Sequence, residues 1–216
     1  MGKAKGREEE NEADWKGKCS SRGFSGDFED GEMKKETLKE WIEAIIIAGS
    51  LVVFLRTFLF QIYKIPTSSM VPTLKPGDKI FVSKVIYGPK VPFTNWRIPG
   101  IRKPKRGEVI VFIPPCDRKK AYVKRLIGLP GEHVVIKDGN VYINGKLVIQ
   151  PNIANHYYYS QGEYTDVVVP QGKYFVLGDN SISSFDSRFW GFVDEKDIIG
   201  KALFIWWPPK RIGIIE

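Results

Sequence analysis

Sulfur and imidazole are scarce in this chain. Its 216 residues hold two cysteines, Cys19 and Cys116, and two histidines, His133 and His156. Two cysteines on either side of an apolar run at 41–60 do not make a disulfide framework, and across a bilayer they could not pair. Two histidines and two scattered cysteines give no metal-ligand spacing, so no metal or cofactor is expected. The chain also lacks zinc-finger spacing, an RNA-recognition signature and a recognition-helix pattern, which argues against nucleic acid as a partner. No amphipathic helical period is sustained after Phe60, which excludes a helical bundle. A small-x-small cleavage site after the apolar run is missing, and the 40 residues before it are too long and acidic for a cleavable leader.

What is present is uneven. The net charge is +8, but residues 1–40 carry nine Lys/Arg against eleven Asp/Glu, while residues 61–216 carry 23 against 13. The basic part is the part expected to fold. A basic domain beside an apolar segment points to an anionic membrane surface before any other polyanion. Residues 1–32 are charged, contain Gly and Ser and have few aliphatics, the composition of a disordered tail. Trp41–Phe60 is read as a transmembrane helix, since twenty helical residues reach roughly 30 Å. Glu43 and Arg56 sit near its ends, and Trp41 and Tyr63 suit the interfaces. A buried core helix is the plainer alternative, because the uncharged stretch Ala44–Leu55 is short for a span. Lysines and arginines flank both ends and leave the orientation open.

From Lys79 onward the chain reads as β. Short β-branched and aromatic runs occur at Ile80–Val82, Val109–Ile113, Tyr174–Leu177 and Ala202–Trp207. Val134–Ile143 is patterned as a hairpin around Asp138-Gly139, and Asn144-Gly145 signals a second turn. Many short strands at close spacing mean a sandwich or a partly closed barrel. Two irregular stretches, Gly88–Gly100 with its Pro, Phe and Trp, and residues 150–166 with four tyrosines, are read as covers for the sheet, with dipping into the headgroup region as the alternative.

Three segments exceed any structural need. The first is Pro66-Thr67-Ser68-Ser69-Met70-Val71-Pro72-Thr73-Leu74. Prolines at both ends stiffen the backbone and reduce the entropy lost when a central side chain is held in one pose, which suits a nucleophile. A polar linker is the bland alternative. The second segment is Ala121–Glu132, where Lys124 falls inside a strand pattern between Tyr122 and Leu126. Most strand lysines are solvated. A buried one loses the hydration of its ammonium, its pKa falls, and a neutral amine becomes available as a general base. The third is Leu177–Arg188, in which Asp186 and Arg188 are close enough to pair. Asp179, Asp186 and Arg188 are read as a polar loop held by ion pairs. Ser184, if it faces Lys124, would aim the amine at Ser69 as a third group orients the base in a triad. His133 follows Pro130-Gly131 at a strand start and His156 lies among tyrosines; neither has motif support as a triad member.

Together these segments resemble the type I signal peptidase family of membrane-bound serine proteases. The resemblance spans Trp41–Ile212. It rests on Arg56–Gln61, on the Ser69-Met70-Val71-Pro72-Thr73-Leu74 box, on Pro76-Gly77-Asp78 and Arg106-Gly107-Glu108-Val109, on Lys124-Arg125, and on Gly178-Asp179-Asn180 with Asp186-Ser187-Arg188. It implies Ser69 as nucleophile, Lys124 as general base, Thr67 with the Ser69 N–H as oxyanion hole, and Ser184 as the lysine-orienting hydroxyl. It implies substrate pockets near Tyr63, Ile65, Pro66, Met70, Leu74, Tyr122 and Val123, with Arg125, Asp179, Asp186 and Arg188 as structural support. Ser181-Ile182-Ser183 departs from the family's usual Arg-Asp-Asn, which puts the polar contacts of that loop in question.

The expected fold is mainly β, with antiparallel coiled sheets forming a partly open, barrel-like catalytic domain after one N-terminal transmembrane helix. The expected layout is a cytoplasmic tail over 1–40, the helix over 41–60 and an extracytoplasmic catalytic domain over 61–216, with a small insertion at about 133–170. The implied partners are signal peptides of exported preproteins and the lipid bilayer of the plasma membrane, met by a monomer. Rival readings are a sortase-like transpeptidase built on Cys116, a soluble self-cleaving repressor with the same dyad, and an anchored, non-enzymatic β module.

Overall fold

The computed structural model describes residues 30–91 and 96–216. The expected tail up to residue 29, Cys19 with it, and Pro92 and Phe93 of the aromatic loop lie outside the described residues. The chain divides into two units, residues 1–48 and 49–216.

Helix α1 spans Asp30–Phe54. It begins eleven residues before the expected start at Trp41, so Asp30–Glu40 is helical where a tail is predicted. It also ends early. Leu55–Leu59 winds as a π-helix, and Phe60 already belongs to a strand because it pairs with Ser83. No helix among the described residues is long and apolar enough to cross a membrane. The physical reason is in the charges: Glu43 and Arg56 bracket twelve uncharged residues, about 18 Å of helix.

Twelve strands follow: β1 Phe60–Lys64, β2 Lys79–Ser83, β3 Val109–Phe112, β4 Tyr122–Gly128, β5 His133–Lys137, β6 Asn140–Ile143, β7 Lys146–Leu147, β8 Asp166–Val168, β9 Lys173–Leu177, β10 Val193–Asp194, β11 Ile198–Trp207 and β12 Gly213–Ile214. They form two antiparallel sheets. The larger has the order β1-β2-β11-β3-β4-β9-β10, with β12 added beside β11, and curls into a half-barrel. Register shifts between Ile198 and Gly200, Ala202 and Phe204, and Leu126 and Gly128 supply bulges, which bend and twist a sheet. The smaller sheet, β7-β6-β5-β8, spans residues 133–168.

The strand patterns explain the layering. β3 reads Val-Ile-Val-Phe without alternation and is buried on both faces. Val109 and Val111 join a core with Ile65, Met70, Leu74, Ile80 and Val82. Ile110 and Phe112 join another with Leu126, Tyr174 and Val176. β9 divides the same way, sending Phe175 and Leu177 to a third core under the small sheet. The hairpin joining β5 and β6 turns through Asp138 and Gly139 with φ of 52° and 78°, as a type I′ turn requires. Gly139 is also where the tyrosine-rich stretch docks: the Tyr158 N–H donates to its carbonyl at 3.0 Å, and Tyr158 is buried.

Candidate active site

Ser69 sits in a loop that leaves β1 and returns to β2. The Ile65 N–H donates to the Asp78 carbonyl and the Gly77 N–H to the Ile65 carbonyl, both at 2.8 Å, which closes the loop at its neck. Met70 and Leu74, fully buried, pin it from below. Arg211 adds a side brace, its Nε and Nη2 donating to the Asp78 carboxylate at 3.0 and 2.9 Å. The backbone at Ser69 is held from the third segment. The Asn180 N–H donates to the Ser69 carbonyl at 3.0 Å, and Asn180 Nδ2 to the Ser68 carbonyl at 3.2 Å.

Lys124 projects from the middle of β4, where its backbone pairs with Ile110. Its Nζ donates to Ser69 Oγ across 2.5 Å, and Lys124 is only 4% exposed. Burial pushes the amine down from the usual lysine range to about 8. Asp186 and Asp179 pull the other way, and Arg188 adds to the depression. Desolvation wins because the two carboxylates are already spent on arginines. An amine poised near 8 against a hydroxyl can take that hydroxyl's proton when neutral. Thr67 Oγ1 lies 3.4 Å from Ser69 Oγ on the exposed side of the loop.

Two buried ion pairs fix the surroundings. Arg125 meets Asp179 with both arms, Nε to Oδ1 at 2.8 Å and Nη2 to Oδ2 at 2.7 Å. Its Nη1 donates to the carbonyls of Gly107 and Glu216, each at 2.7 Å, and Thr73 Oγ1 donates to Asp179 at 2.6 Å. Arg188 grips Asp186 in the same way, at 2.8 and 3.0 Å. Ser181, at the departure from the family pattern, takes over two remaining Arg188 donors through its Oγ at 2.6 Å and its carbonyl at 2.8 Å. With Nη1 also donating to the Tyr159 carbonyl at 3.0 Å, all five donors of the planar fork are satisfied, which is what makes a fully buried guanidinium tolerable.

Ser184 is buried beside this cluster, but its Oγ has no hydrogen-bond partner among the described residues. Gly178 explains how tightly it is packed. A Cβ on Gly178 would fall 2.1 Å from Ser184 Oγ and 2.5 Å from the Ser69 carbonyl oxygen. Of the expected pocket residues, Ile65, Met70 and Leu74 are core, whereas Tyr63, Tyr122 and Val123 are partly exposed and Pro66 is exposed.

Among the described residues neither histidine is hydrogen-bonded to Ser69 or Lys124. His133 Nε2 meets Asp166 at 2.5 Å in the small sheet, and His156 Nε2 lies 3.7 Å from Asp179 Oδ2. Cys116 is free and exposed, and its thiol is pushed up, chiefly by partial desolvation, the wrong direction for a catalytic thiolate. No group of three or more His, Cys, Asp or Glu among the described residues is placed to hold a metal ion.

Asn180, Thr73, Gly178 and Arg211 pack against or bond to the Ser69 loop and the Asp179 cluster, and the sequence reading did not single them out. Thr73, Gly178 and Asn180 stood inside quoted motifs, but their tasks depend on neighbours more than a hundred residues away. Arg211 carried no signal.

Comparison with known proteins gives the family. The family described as signal peptidase, peptidase S26 matches residues 38–207. A probable signal peptidase I-2 of Synechocystis is 38% identical over 192 residues, covering 84% of this chain and 81% of that protein. A signal peptidase I of Bacillus licheniformis is 40% identical over 187 residues, 83% of this chain and 94% of that one. A solved signal peptidase I from Enterococcus faecalis is 39% identical, covers 47% of this chain and 98% of that chain, and superposes with a TM-score of 0.40. The chain therefore belongs to the signal peptidases of family S26, and is a hydrolase of the signal peptidase I class.

Proposed function

We propose that this chain is a serine endopeptidase that removes N-terminal signal peptides from exported preproteins at the membrane surface, with Ser69 and Lys124 as its dyad. The observation that carries the reading is the 2.5 Å contact between Lys124 Nζ and Ser69 Oγ in a site where burial holds the amine near 8.

The signal peptide lies extended beside β1, an edge strand of the large sheet that runs directly into the Ser69 loop. Small side chains before the cleavage point enter pockets walled by Tyr63, Pro66, Tyr122 and Val123 over a floor of Ile65, Met70 and Leu74. Neutral Lys124 takes the Ser69 proton as Oγ attacks the scissile carbonyl. The Ser69 N–H and Thr67 hydroxyl receive the developing oxyanion; loss of one such donor costs about 3 kcal/mol of barrier. Lys124 returns the proton to the leaving amine, then activates the water that cleaves the acyl-enzyme. Ser184 orients the amine once the site tightens around substrate. Arg125, Asp179, Asp186 and Arg188 hold the frame.

The enzyme works as a single-pass or surface-bound protein of the plasma membrane, its catalytic domain on the extracytoplasmic side. Exposed Leu51, Val52, Val53 and Phe54 on the helix, and Phe60, Ile62, Trp206 and Trp207 on the β unit, support contact with lipid. Every catalytic group proposed comes from one chain, which suits a monomer.

The test is cleavage of a preprotein in detergent micelles. Ser69→Ala and Lys124→Ala should be inactive with unchanged circular dichroism, and so should Lys124→Arg, because a guanidinium stays charged. The parent's rate should climb with pH through about 8 as the amine loses its proton. A thiol alkylator should leave it untouched; inhibition would favour Cys116 and the transpeptidase reading. Full activity in Lys124→Arg would end the dyad assignment.

A further inference from the structure

Away from the Ser69 site, the β unit carries a basic cavity of about 410 Å³ lined by Lys90, Arg97, Arg118, Lys196 and Asp197. A smaller recess shares four of these residues and adds Lys84. Five cationic side chains thus face one carboxylate in the lining. Asp197 is already taken by both arms of Arg118, at 2.6 and 2.9 Å. Asp194 lies 3.8 Å from Lys196 and 3.4 Å from Lys173, and the charge of Glu195 acts on Arg97. The four cations of the larger cavity, set against Asp197, Asp194 and Glu195, leave it net positive.

Arg97 is the built element. Its guanidinium is half-buried and donates to the carbonyls of Gly88 and Glu195, each at 2.7 Å, and to that of Ile198. Carbonyls orient the guanidinium but do not neutralise it. Lys90, bridged to Arg97 through the backbone, and Lys196 stand at the rim. A concave wall of one sign concentrates counter-ions of the other. The recess is too small for a nucleic-acid strand and large enough for one tetrahedral oxyanion group with its substituents.

A second observation indicates what carries the anion. Lys84 donates to the Arg56 carbonyl at 3.1 Å. Arg56 lines an apolar groove of about 350 Å³ with Val52, Leu55, Phe60, Ile62 and Phe81. A basic recess linked by one hydrogen bond to an aliphatic groove has the two chemistries of an anionic phospholipid. We propose that the cavity binds a phosphate-bearing anion and that a phospholipid headgroup, its chains along the groove, is its source. The lipid part rests on the membrane reading above; the phosphate part does not.

The test uses the full chain and two arms. The first is sedimentation with vesicles of phosphatidylcholine, with and without phosphatidylglycerol. The parent should prefer the anionic vesicles, and Lys90→Gln with Lys196→Gln should weaken that binding on the order of thirtyfold, at about 1 kcal/mol per lysine. Lys137→Gln with Lys146→Gln, the same charge change on the exposed small sheet, should keep it. The second arm is thermal denaturation with inorganic phosphate, which should raise the midpoint of the parent and not of the Lys90/Lys196 variant. Peptide cleavage in detergent should be equal in all three proteins. A phosphate effect without vesicle binding supports the cavity and assigns it a soluble phosphate, against the lipid source. Equal loss in both double variants, or no response of the parent in either arm, overturns the site.

Discussion

Lys124 is held against its own preference for charge. Its pKa in the folded chain is lowered, so between about 8 and the ordinary lysine value near 10.4 the unfolded chain binds more protons. Stability therefore rises with pH across that window, and below about 8 the fold bears the whole cost, about 3 kcal/mol. Lys124→Met should remove it. The stability advantage of that variant over the parent, from urea titrations, should shrink by about 3 kcal/mol between pH 7 and pH 11. Gly178 is constrained in another way. A methyl group there meets the Ser69 carbonyl and the Ser184 hydroxyl at once. Gly178→Ala should displace Ser69 and, on the proposed function, lower peptide turnover about a hundredfold, with near-parental circular dichroism.

At the scale of elements, strand β4 and the loop after β9 are tied by buried charge. Asp179→Ala would leave Arg125 buried without its counter-ion and should cost about 3–5 kcal/mol in urea denaturation, far more than the loss of a surface pair. This scale also shows what a reader of the sequence could and could not see. β3 and β9 were legible because runs of β-branched and aromatic residues need no partner to be recognised. The Asp138-Gly139 hairpin was legible because only a few residue pairs accept its backbone. The end of α1 was not, because Phe58-Leu59-Phe60 resumes the apolar character of the turns before Arg56, and only pairing of Phe60 with Ser83 makes Phe60 part of a strand. The Ser69 and Lys124 motifs were readable through the family resemblance. Their bracing by Asn180 and Arg211 depends on which distant segments meet, and local composition carries no trace of that.

The whole molecule combines a basic β unit with an uncovered apolar surface. Trp206 and Trp207 are exposed at the end of β11, with Lys79 placed 5.9 and 5.8 Å from their rings. A patch of this kind in water invites self-association. Trp206→Ser with Trp207→Ser should lower the detergent needed to keep the protein monodisperse by light scattering, without altering its thermal midpoint.

On the proposed function, the dry setting of one amine would also make the molecule a governor of export. Below about 8 the neutral share of Lys124 falls tenfold for each unit of acidity. A membrane that expels protons acidifies its own outer face, so on the proposed reading leader removal would throttle down as energisation rises. It would recover the instant the gradient collapses, with no other messenger.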